Sequence, residues 1–255
     1  MSKARYSPTQ IAMFLRCPEQ YRRRYILGDK RPPGIALIFG TAIHVGAALN
    51  YNTRIETQKP ITLDEFFDAA KDSINLRIDE DGVEIEKGKK KKDVIGETID
   101  KTKIIGEKFL NEISPTVDPA AVEEGILLVG KEYDMYGIMD LRTVDGWVDD
   151  LKTASSMLNQ HNADTSIQLS HYALSYRVKF GKLPVGVRLS VVTKTKNPKT
   201  AIIRSQRAKR DIEKYLLTVD VVHASIKTGL FPPSSERNNL CNPLYCGYWS
   251  DCKYK

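Results

Sequence analysis

Residues 136–152 constrain the fold more than any other stretch of the chain. Their sequence, YGIMDLRTVDGWVDDLK, alternates apolar and polar side chains on both sides of residues 144–146, which predicts two antiparallel strands joined by a tight turn. Two carboxylates, Asp140 and Asp150, and the ammonium of Lys152 lie within this hairpin. A hydrolase can use carboxylates on neighbouring strands to hold Mg²⁺ or Mn²⁺ against a phosphodiester, and a nearby lysine to steady an attacking water.

The length of the turn decides whether the two aspartates share a face of the sheet. A two-residue loop at 145–146 would place Asp140 opposite Leu151 and point the aspartates to opposite faces. A three-residue loop at 144–146, with its glycine in the left-handed conformation, places Asp140 opposite Asp150, with Cβ atoms about 4.5–5.5 Å apart. Two anions about 4 Å apart repel by about 4 kcal/mol at an effective dielectric constant of 20, and a divalent cation between them would remove that repulsion. The metal site therefore requires the three-residue loop, because only this loop places both aspartates on one face of the sheet.

The D-x-K pattern is weak evidence by itself. An ordinary hairpin with solvated acidic side chains is the commoner explanation of an isolated D-x-K such as residues 150–152. Moreover, Asp251-Cys252-Lys253 repeats the pattern in a cysteine-rich tail. The hypothesis of metal-dependent catalysis therefore depends on further residues.

The balance of charges favours a polyanionic partner. The 255 residues include 39 Lys and Arg against 32 Asp and Glu, a net charge of +7. A modest excess of this kind is also common in proteins that never contact nucleic acid, so charge is weak support for such a partner. Charged side chains interrupt the apolar positions of residues 1–30, and no uncharged run reaches the ~18 residues of a membrane span. We therefore expect a cytoplasmic protein with no membrane partner.

Apolar periodicity predicts a single domain over residues 1–255, built from a helical part at 1–115, a sheet core at 120–207, and a helix with a tail at 208–255. The predicted helices begin at Ser7 and at residues 40–41, with Thr41 as the cap of the second, and others lie at 62–78, 94–113, 166–180 and 208–228. Strands are predicted at 122–131, in the hairpin, and at 185–193 and 200–207. Apolar side chains of the helix at 166–180 that can face the core are Ile167, Leu169, Ala173, Leu174 and Val178.

A charged loop is predicted at residues 79–92. Its lysines, Lys87 and Lys89 to Lys92, are either solvated or in contact with DNA, and solvated lysines are the commoner case. The acidic half of the same loop would repel DNA.

Four cysteines are divided between the two ends of the chain: Cys17 near the N terminus, and Cys241, Cys246 and Cys252 in the tail. In a reducing compartment such cysteines are more often metal ligands or free thiols than disulfides. Four thiolates suit either a [4Fe–4S] cluster or tetrahedral Zn²⁺, whereas Cys17 alone could be a small buried residue. The tail has few aliphatic side chains, so we expect that it cannot dock by burial alone.

Three further polar residues have no decisive meaning by themselves. His44 lies on an otherwise apolar predicted helix, where a packed or hydrogen-bonded core histidine is the commoner case. Gln168 and Tyr172 are four residues apart and so share one face of a predicted helix, which is unremarkable. Only their order along the chain makes these residues informative.

That order resembles a known family. The match rests on His44, Asp140, Asp150-x-Lys152 and Gln168-x-x-x-Tyr172, with one early and three terminal cysteines. This succession resembles the RecB-like branch of the PD-(D/E)XK nucleases, and most of all its iron–sulfur members: the CRISPR-associated RecB-like exonucleases, the nuclease domain of AddB and their phage relatives. Met139 stands where the family name has proline, and Asp150 where many members have glutamate. Both variations are common in this branch.

The resemblance implies an α/β, restriction-endonuclease-like fold, with a central mixed sheet flanked by helices and a helical lobe closed by a four-cysteine cluster. It implies a metal-dependent deoxyribonuclease, an exonuclease on single-stranded DNA, that uses Mn²⁺ or Mg²⁺. The implied ligands are His44, Asp140, Asp150 and the Leu151 carbonyl, and imidazole suits Mn²⁺ better than Mg²⁺. The implied catalytic residues are Asp140, Asp150, Lys152, Gln168 and Tyr172, of which the last two orient the lysine or the DNA backbone.

The segment from Cys246 to Cys252 resembles the C-x-Y-x-x-x-C ending of the iron–sulfur nucleases. This favours a [4Fe–4S] cluster over Zn²⁺ at Cys17, Cys241, Cys246 and Cys252. The implied partners are DNA and proteins of CRISPR adaptation, recombination or phage replication. Two alternatives stay open: a DNA-binding module of the same fold that does not cleave, and a zinc-stapled protein of unrelated function.

Overall fold

The structure is a computed structural model that describes residues 3–86, 88–235, 238–243 and 245–255. The chain divides into two compact units, and each is described by itself. Unit 1 comprises Met1–Arg31, Leu127–Gly137 and Lys209–Lys255, and unit 2 comprises Pro32–Ile126 and Ile138–Ala208. This division does not test the single-domain prediction, which stays a prediction.

Helices and strands are mixed along the chain. The helices are α1 Pro8–Arg16, α2 Pro18–Tyr21, α3 Ile35–Thr57, α4 Leu63–Asp81, α5 Lys91–Lys108, α6 Gln160–Asp164, α7 Ile167–Phe180 and α8 Lys209–Lys227. The strands are β1 Ala4–Tyr6, β2 Pro119–Val129, β3 Tyr133–Thr143, β4 Trp147–Ala154, β5 Gly186–Thr193 and β6 Thr200–Ser205. The fold is therefore mixed α/β, with a central mixed sheet and flanking helices, as predicted. Strand β1 and helix α6 were not predicted.

Capping side chains fix where several helices begin. Ser7 and Gln10 form a reciprocal capping box at the start of α1, and Thr62 and Glu65 form another at the start of α4. The Ser166 hydroxyl accepts a hydrogen bond from the first turn of α7. Each of these side chains pairs backbone N–H groups that have no partner within the helix.

The predicted start of the second helix is wrong. Helix α3 does not begin near residue 40 with Thr41 as its cap, but at Ile35, directly after Gly34. The Thr41 hydroxyl instead donates to the Leu37 carbonyl at 3.2 Å. A threonine inside a helix can bond the carbonyl four residues back, so its hydroxyl does not require a helix end.

Helix α3 is a core helix of unit 2. By length and composition, it is the one helix in the described ranges that passes the test for a membrane span. However, Ile38, Ala42 and Ile43 on its inner face are buried in the apolar core of the unit. Burial against protein accounts for part of this apolar composition, whereas Leu37, Val45 and Leu49 on the same helix are exposed.

One phenylalanine ring fills the space where α3, α4 and α5 approach each other. A Cβ atom added at Gly46 would lie 2.7 Å from the Phe66 ring, and one added at Gly106 would lie 2.5 Å from it. The ring also packs against Phe109, with centroids 5.7 Å apart. The helices can therefore pack this closely only because both positions lack a side chain.

The hairpin has the register that the metal site requires. Strands β3 and β4 are antiparallel, and the paired residues are Leu141 with Asp149 and Arg142 with Val148. Gly146 has a φ of +83°, and its N–H donates to the Thr143 carbonyl at 3.1 Å. Of the two loops compatible with the sequence, the structure has the three-residue loop at 144–146, and the same register sets Asp140 opposite Asp150.

The remaining strands extend the sheet in unit 2. Strand β4 is parallel to β5, with Lys152 opposite Val191 and Ala154 opposite Thr193, and β5 is antiparallel to β6. Strand β2 pairs with β3. All eight residues of β5 are buried. In unit 1, β1 is parallel to the first residues of β3.

Helix α7 packs inward with more polar side chains than its hydrophobicity predicts. Leu169, Ala173 and Leu174 are buried as expected, but Val178 is 60% exposed. The polar residues His171 and Ser175 are fully buried instead. Apolar composition was thus an incomplete guide to this helix, because polar side chains occupy part of its inner face.

We expect His171 to make stability depend on pH. Burial lowers its pKa from 6.5 to about 4, so between these values the unfolded chain takes up a proton that the folded chain does not. Stability is then complete above about pH 6.5 and falls as the pH decreases towards 4, by about 2 kcal/mol at pH 5 relative to pH 7.5. Urea denaturation at both pH values should show this extra loss in the wild type and not in His171→Gln. Equal losses in the two proteins would contradict the prediction.

Candidate active site

The two hairpin aspartates meet in a buried site of unit 2. Asp150 is fully buried, and the Asp140 side chain hydrogen-bonds to it. Burial raises the pKa of Asp140 well above its usual value, and the nearby charge of Asp150 raises it further. Two carboxylates held this closely out of water have a strong affinity for positive charge.

The five predicted catalytic side chains form a closed ring of contacts. The Lys152 Nζ lies 2.9 Å from Asp150 Oδ1 and 2.8 Å from Oδ2, and it donates to Gln168 Oε1 at 2.8 Å. Gln168 Nε2 donates to the Tyr172 hydroxyl at 2.6 Å, and this hydroxyl donates to Asp140 Oδ1 at 3.3 Å. Burial raises the pKa of Tyr172, which keeps its phenol protonated as a donor. Helix α7 thus holds both the lysine and one aspartate.

His44 on α3 joins the same site. Its Nδ1 lies 3.3 Å from Asp140 Oδ2, and its ring hydrogen-bonds to the Leu151 backbone. The Leu151 N–H donates to the same Asp140 oxygen at 3.1 Å. Burial lowers the pKa of His44, which favours the neutral imidazole that binds metals. The structure therefore brings together all four groups predicted as metal ligands.

The donor atoms suit a hard divalent cation. A cavity of about 20 Å³, with room for about one water molecule, is lined by His44, Asp140 and Leu151 among others. Carboxylate oxygens and a neutral imidazole are appropriate ligands for Mn²⁺, and carboxylates for Mg²⁺. Nevertheless, no three His, Cys, Asp or Glu side chains within the described residues are already arranged to hold a metal ion. Here the carboxylates bond to Lys152 and to the Leu151 N–H, so a cation would have to replace some of these contacts.

Sequence reasoning missed two acidic residues beside this cavity. Glu123 lines it from β2 and has an unusual left-handed φ of 48°. Asp149 also lines it, and accepts hydrogen bonds from Arg188 at 2.9 Å and Ser190 at 2.8 Å, all three being buried. The available signal was Arg188, because an arginine within an apolar strand needs a buried anion.

The four cysteines lie together in unit 1. All of them line one cavity of about 40 Å³, and none forms a disulfide. Burial raises the pKa of Cys246, and the charges of the other three thiols raise it further. Cys17 caps α2, where its Sγ accepts a hydrogen bond from the Gln20 N–H at 3.4 Å. As at the carboxylates, the described thiols are not in a preformed metal-binding arrangement.

The second D-x-K pattern is structural. The Asp251 carboxylate lies 3.0 Å from Arg23 and 2.8 Å from Arg31. Both guanidinium groups lie over the Tyr248 ring, at 5.5 and 5.3 Å from its centroid, and the Tyr248 hydroxyl donates to the Asp29 carbonyl at 2.6 Å. Charge and cation–π contacts thus dock the tail in addition to any metal.

The charged loop contains more order than predicted. Helix α4 continues to Asp81, and α5 begins at Lys91, so the predicted loop is shorter than residues 79–92. Lys89 lies 2.6 Å from Glu86, and Lys90 to Lys92 are exposed. Lys87 lies outside the described residues. Contact of these lysines with DNA stays a prediction.

Comparison with known proteins agrees with this geometry. The sequence model of the PD-(D/E)XK nuclease superfamily matches residues 5–253. No curated protein matches the chain. A crystal structure described as that of a candidate exonuclease from Eubacterium rectale is similar with a TM-score of 0.57 at 14% identity, over 96% of this chain and 86% of that one. At such a low sequence identity, this similarity shows only that the two chains share a fold. The structure of SSO0001 is more distant, with a TM-score of 0.44 at 13% identity over 100% of this chain and 88% of that one. Since the superfamily model matches nearly the whole sequence, the chain belongs to the PD-(D/E)XK nuclease superfamily.

Proposed function

We propose that this nuclease is a metal-dependent exonuclease of the RecB-like branch that hydrolyses single-stranded DNA. The observation that carries the proposal is the closed ring from Asp140 through Asp150, Lys152, Gln168 and Tyr172. It joins two aspartate side chains, of which Asp150 is fully buried, and the ammonium of Lys152, and it lies beside His44, whose lowered pKa favours the neutral imidazole. The net charge of +7 supports a nucleic-acid substrate.

Each side chain has a distinct role in this proposal. His44, Asp140, Asp150 and the Leu151 carbonyl would hold the cation, which as a Lewis acid polarises the phosphate when bound. Lys152 positions the attacking water and offsets the negative charge that develops on the phosphate. Gln168 keeps the lysine in place because its Oε1 accepts a hydrogen bond from Lys152. Tyr172 keeps Asp140 oriented because its hydroxyl, which accepts from Gln168, donates to that carboxylate.

End-labelled DNA tests the reaction directly. Single-stranded and double-stranded oligonucleotides of one sequence should be incubated with Mg²⁺ and, separately, with Mn²⁺. We expect short products released stepwise from one end of the single strand. Internal fragments would identify an endonuclease, and binding without cleavage in both metals would identify the non-cleaving module.

We expect Mn²⁺ to support faster cleavage than Mg²⁺, since a neutral imidazole binds Mn²⁺ better. His44→Ala should narrow this difference and raise the Mn²⁺ concentration for half-maximal rate by at least about tenfold, as even residues beyond the ligands change metal affinity by that factor. Metal titration of the initial rate measures both effects. His161→Ala, at an exposed histidine of the same unit, should change neither. Equal wild-type rates in the two metals would contradict a ligand role for His44.

We further propose that Cys17, Cys241, Cys246 and Cys252 hold a [4Fe–4S] cluster. Support comes from their shared cavity and from the Gln20 N–H that bonds to the Cys17 sulfur, since hydrogen bonds to the sulfurs are among the contacts that tune iron–sulfur sites. The proposed partners in CRISPR adaptation, recombination or phage replication follow from the resemblance alone. Analysis of iron, sulfide and zinc in the purified protein distinguishes the cluster from a zinc staple.

A further inference from the structure

A large groove of unit 2 has not yet been given a function. Its volume is about 480 Å³, in the range of small-ligand sites. Apolar side chains of α3 and α5 line it, including Phe39 and Ile104, and Lys101 lies among them. The segment that follows β5 adds Lys194 and Lys196. Among the residues that the structure describes, no aspartate or glutamate lines the groove.

The lysines of this groove lack anionic partners. Within the described ranges, none of Lys101, Lys194 and Lys196 is within 4.0 Å of a carboxylate. Lys194 is half-buried and its ammonium lies 6.0 Å from the centre of the Phe39 ring. Burial lowers the pKa of Lys194. A cation that is partly removed from water without a counter-ion favours an anionic ligand.

Two elements that line the groove, α3 and the segment that follows β5, also carry or adjoin residues of the candidate active site. Lys152 lies opposite Val191 on β5, and the Lys194 N–H donates to the Ala154 carbonyl at 2.7 Å. Lys194 follows Val191 by three residue steps along extended backbone, a distance of about 10 Å. Along α3, Phe39 precedes His44 by about 7 to 8 Å. A polynucleotide with one phosphate at the candidate active site around Lys152 is long enough to reach the groove.

We propose that this groove binds the nucleotides of single-stranded DNA next to the bond that is cut, with phosphates on Lys101, Lys194 and Lys196 and a base against the exposed side chain of Ile104. This inference rests on the proposed function and adds to it a cause of strand preference. A basic groove that also offers a surface for the unpaired bases is the usual means of holding single strands. Since a paired base cannot leave its stack at no cost, the apolar floor selects unpaired nucleotides.

Two substrates of different size test the groove. Lys194→Glu should raise the KM for a single-stranded oligothymidylate by about tenfold or more, because a phosphate contact becomes a repulsion. It should leave kcat/KM for bis(p-nitrophenyl) phosphate unchanged, since that small diester occupies only the ring. The matched control is Lys182→Glu, an exposed lysine just before β5, at the other end of that strand. It makes the same change of charge and should affect neither substrate.

Binding without turnover gives an independent readout. With chelator present, the salt dependence of oligothymidylate affinity should weaken by about 0.7 in slope for each of Lys101→Ala, Lys194→Ala and Lys196→Ala. An oligonucleotide that lacks bases should bind less tightly than oligothymidylate to the wild type. Ile104→Ser, at a half-exposed position, should reduce this difference.

The outcomes separate the two proposals. If the wild type cleaves oligothymidylate and Lys194→Glu retains the wild-type KM, the groove is overturned and the nuclease stands. If the wild type cleaves neither substrate with either metal, the proposed function fails. The salt dependence of oligothymidylate affinity in the three lysine variants still tests whether the groove binds single-stranded DNA. If base-free and normal strands bind the wild type equally well, the single-strand assignment is overturned. It is also overturned if Lys194→Glu reduces the affinity for duplex DNA as much as the affinity for single-stranded DNA. An apolar peptide that binds the groove without competing with DNA would also overturn it.

Discussion

Asp150→Asn should abolish DNA cleavage while leaving the protein folded. Asparagine keeps the shape of this fully buried side chain but removes its charge, so the site loses an anion that attracts the cation and the counter-ion of Lys152. Removing one electrostatic group of an active site typically costs about 10²–10³ in kcat, and loss of a metal ligand should reach at least the upper value. Single-turnover cleavage of end-labelled single strands in Mn²⁺, with a thermal melt of each protein, measures both parts.

The chain provides a matched control in its second D-x-K. Asp251→Asn makes the same chemical change in a carboxylate that pairs with Arg23 and Arg31. It should lower the melting temperature and leave kcat unchanged. Wild-type cleavage by Asp150→Asn, or loss of cleavage by folded Asp251→Asn, would show that the active site has been assigned to the wrong carboxylates.

Cys246→Ser should remove the iron, bleach the brown colour and loosen unit 1. A metal held by Cys17 and the tail closes almost the whole chain, and the chain-entropy treatment of cross-links of this length gives roughly 4–5 kcal/mol as an upper guide. The contacts of Asp251 and Tyr248 should keep part of the tail docked. We therefore expect a lower melting temperature and protease cleavage near both chain ends, with activity falling mainly through lost stability.

Metal content must be measured alongside the melt. Asp251→Asn should weaken the tail but retain iron and sulfide, which separates loss of docking from loss of the cluster. Stoichiometric zinc in a colourless wild type would refute the cluster. An unchanged melting temperature in Cys246→Ser would refute its stabilising role.

The hairpin shows what local sequence can predict. Side chains of a strand alternate between two faces, so the loop length alone fixes whether Asp140 and Asp150 share a face. Gly146 was compatible with either loop, because glycine readily adopts its left-handed φ of +83° and both loops need such a residue there. Only the requirement that the two aspartates share a metal favoured the three-residue loop. By contrast, the start of α3 was wrong because Thr41 has a second way to satisfy its hydroxyl.

Contacts between distant elements were beyond local patterns. The distance from Lys152 to Gln168 depends on how α7 packs on β4, and only the resemblance connected the two residues beforehand. Neither the Asp149 and Arg188 pair nor the groove at Lys194 follows from periodicity, since each joins side chains from separate elements. A polar residue in an apolar strand was the clue that could have been used.

The phenylalanine between the two glycines has a consequence for how this fold can diverge. Because Gly46 and Gly106 both touch the Phe66 ring, a larger residue at either glycine is compatible only with a smaller one at position 66. The three positions should therefore covary among homologues, and grafting one of them alone between relatives should fail. Gly46 is two residues from His44 on α3, so this covariation would involve the helix that carries the proposed metal ligand.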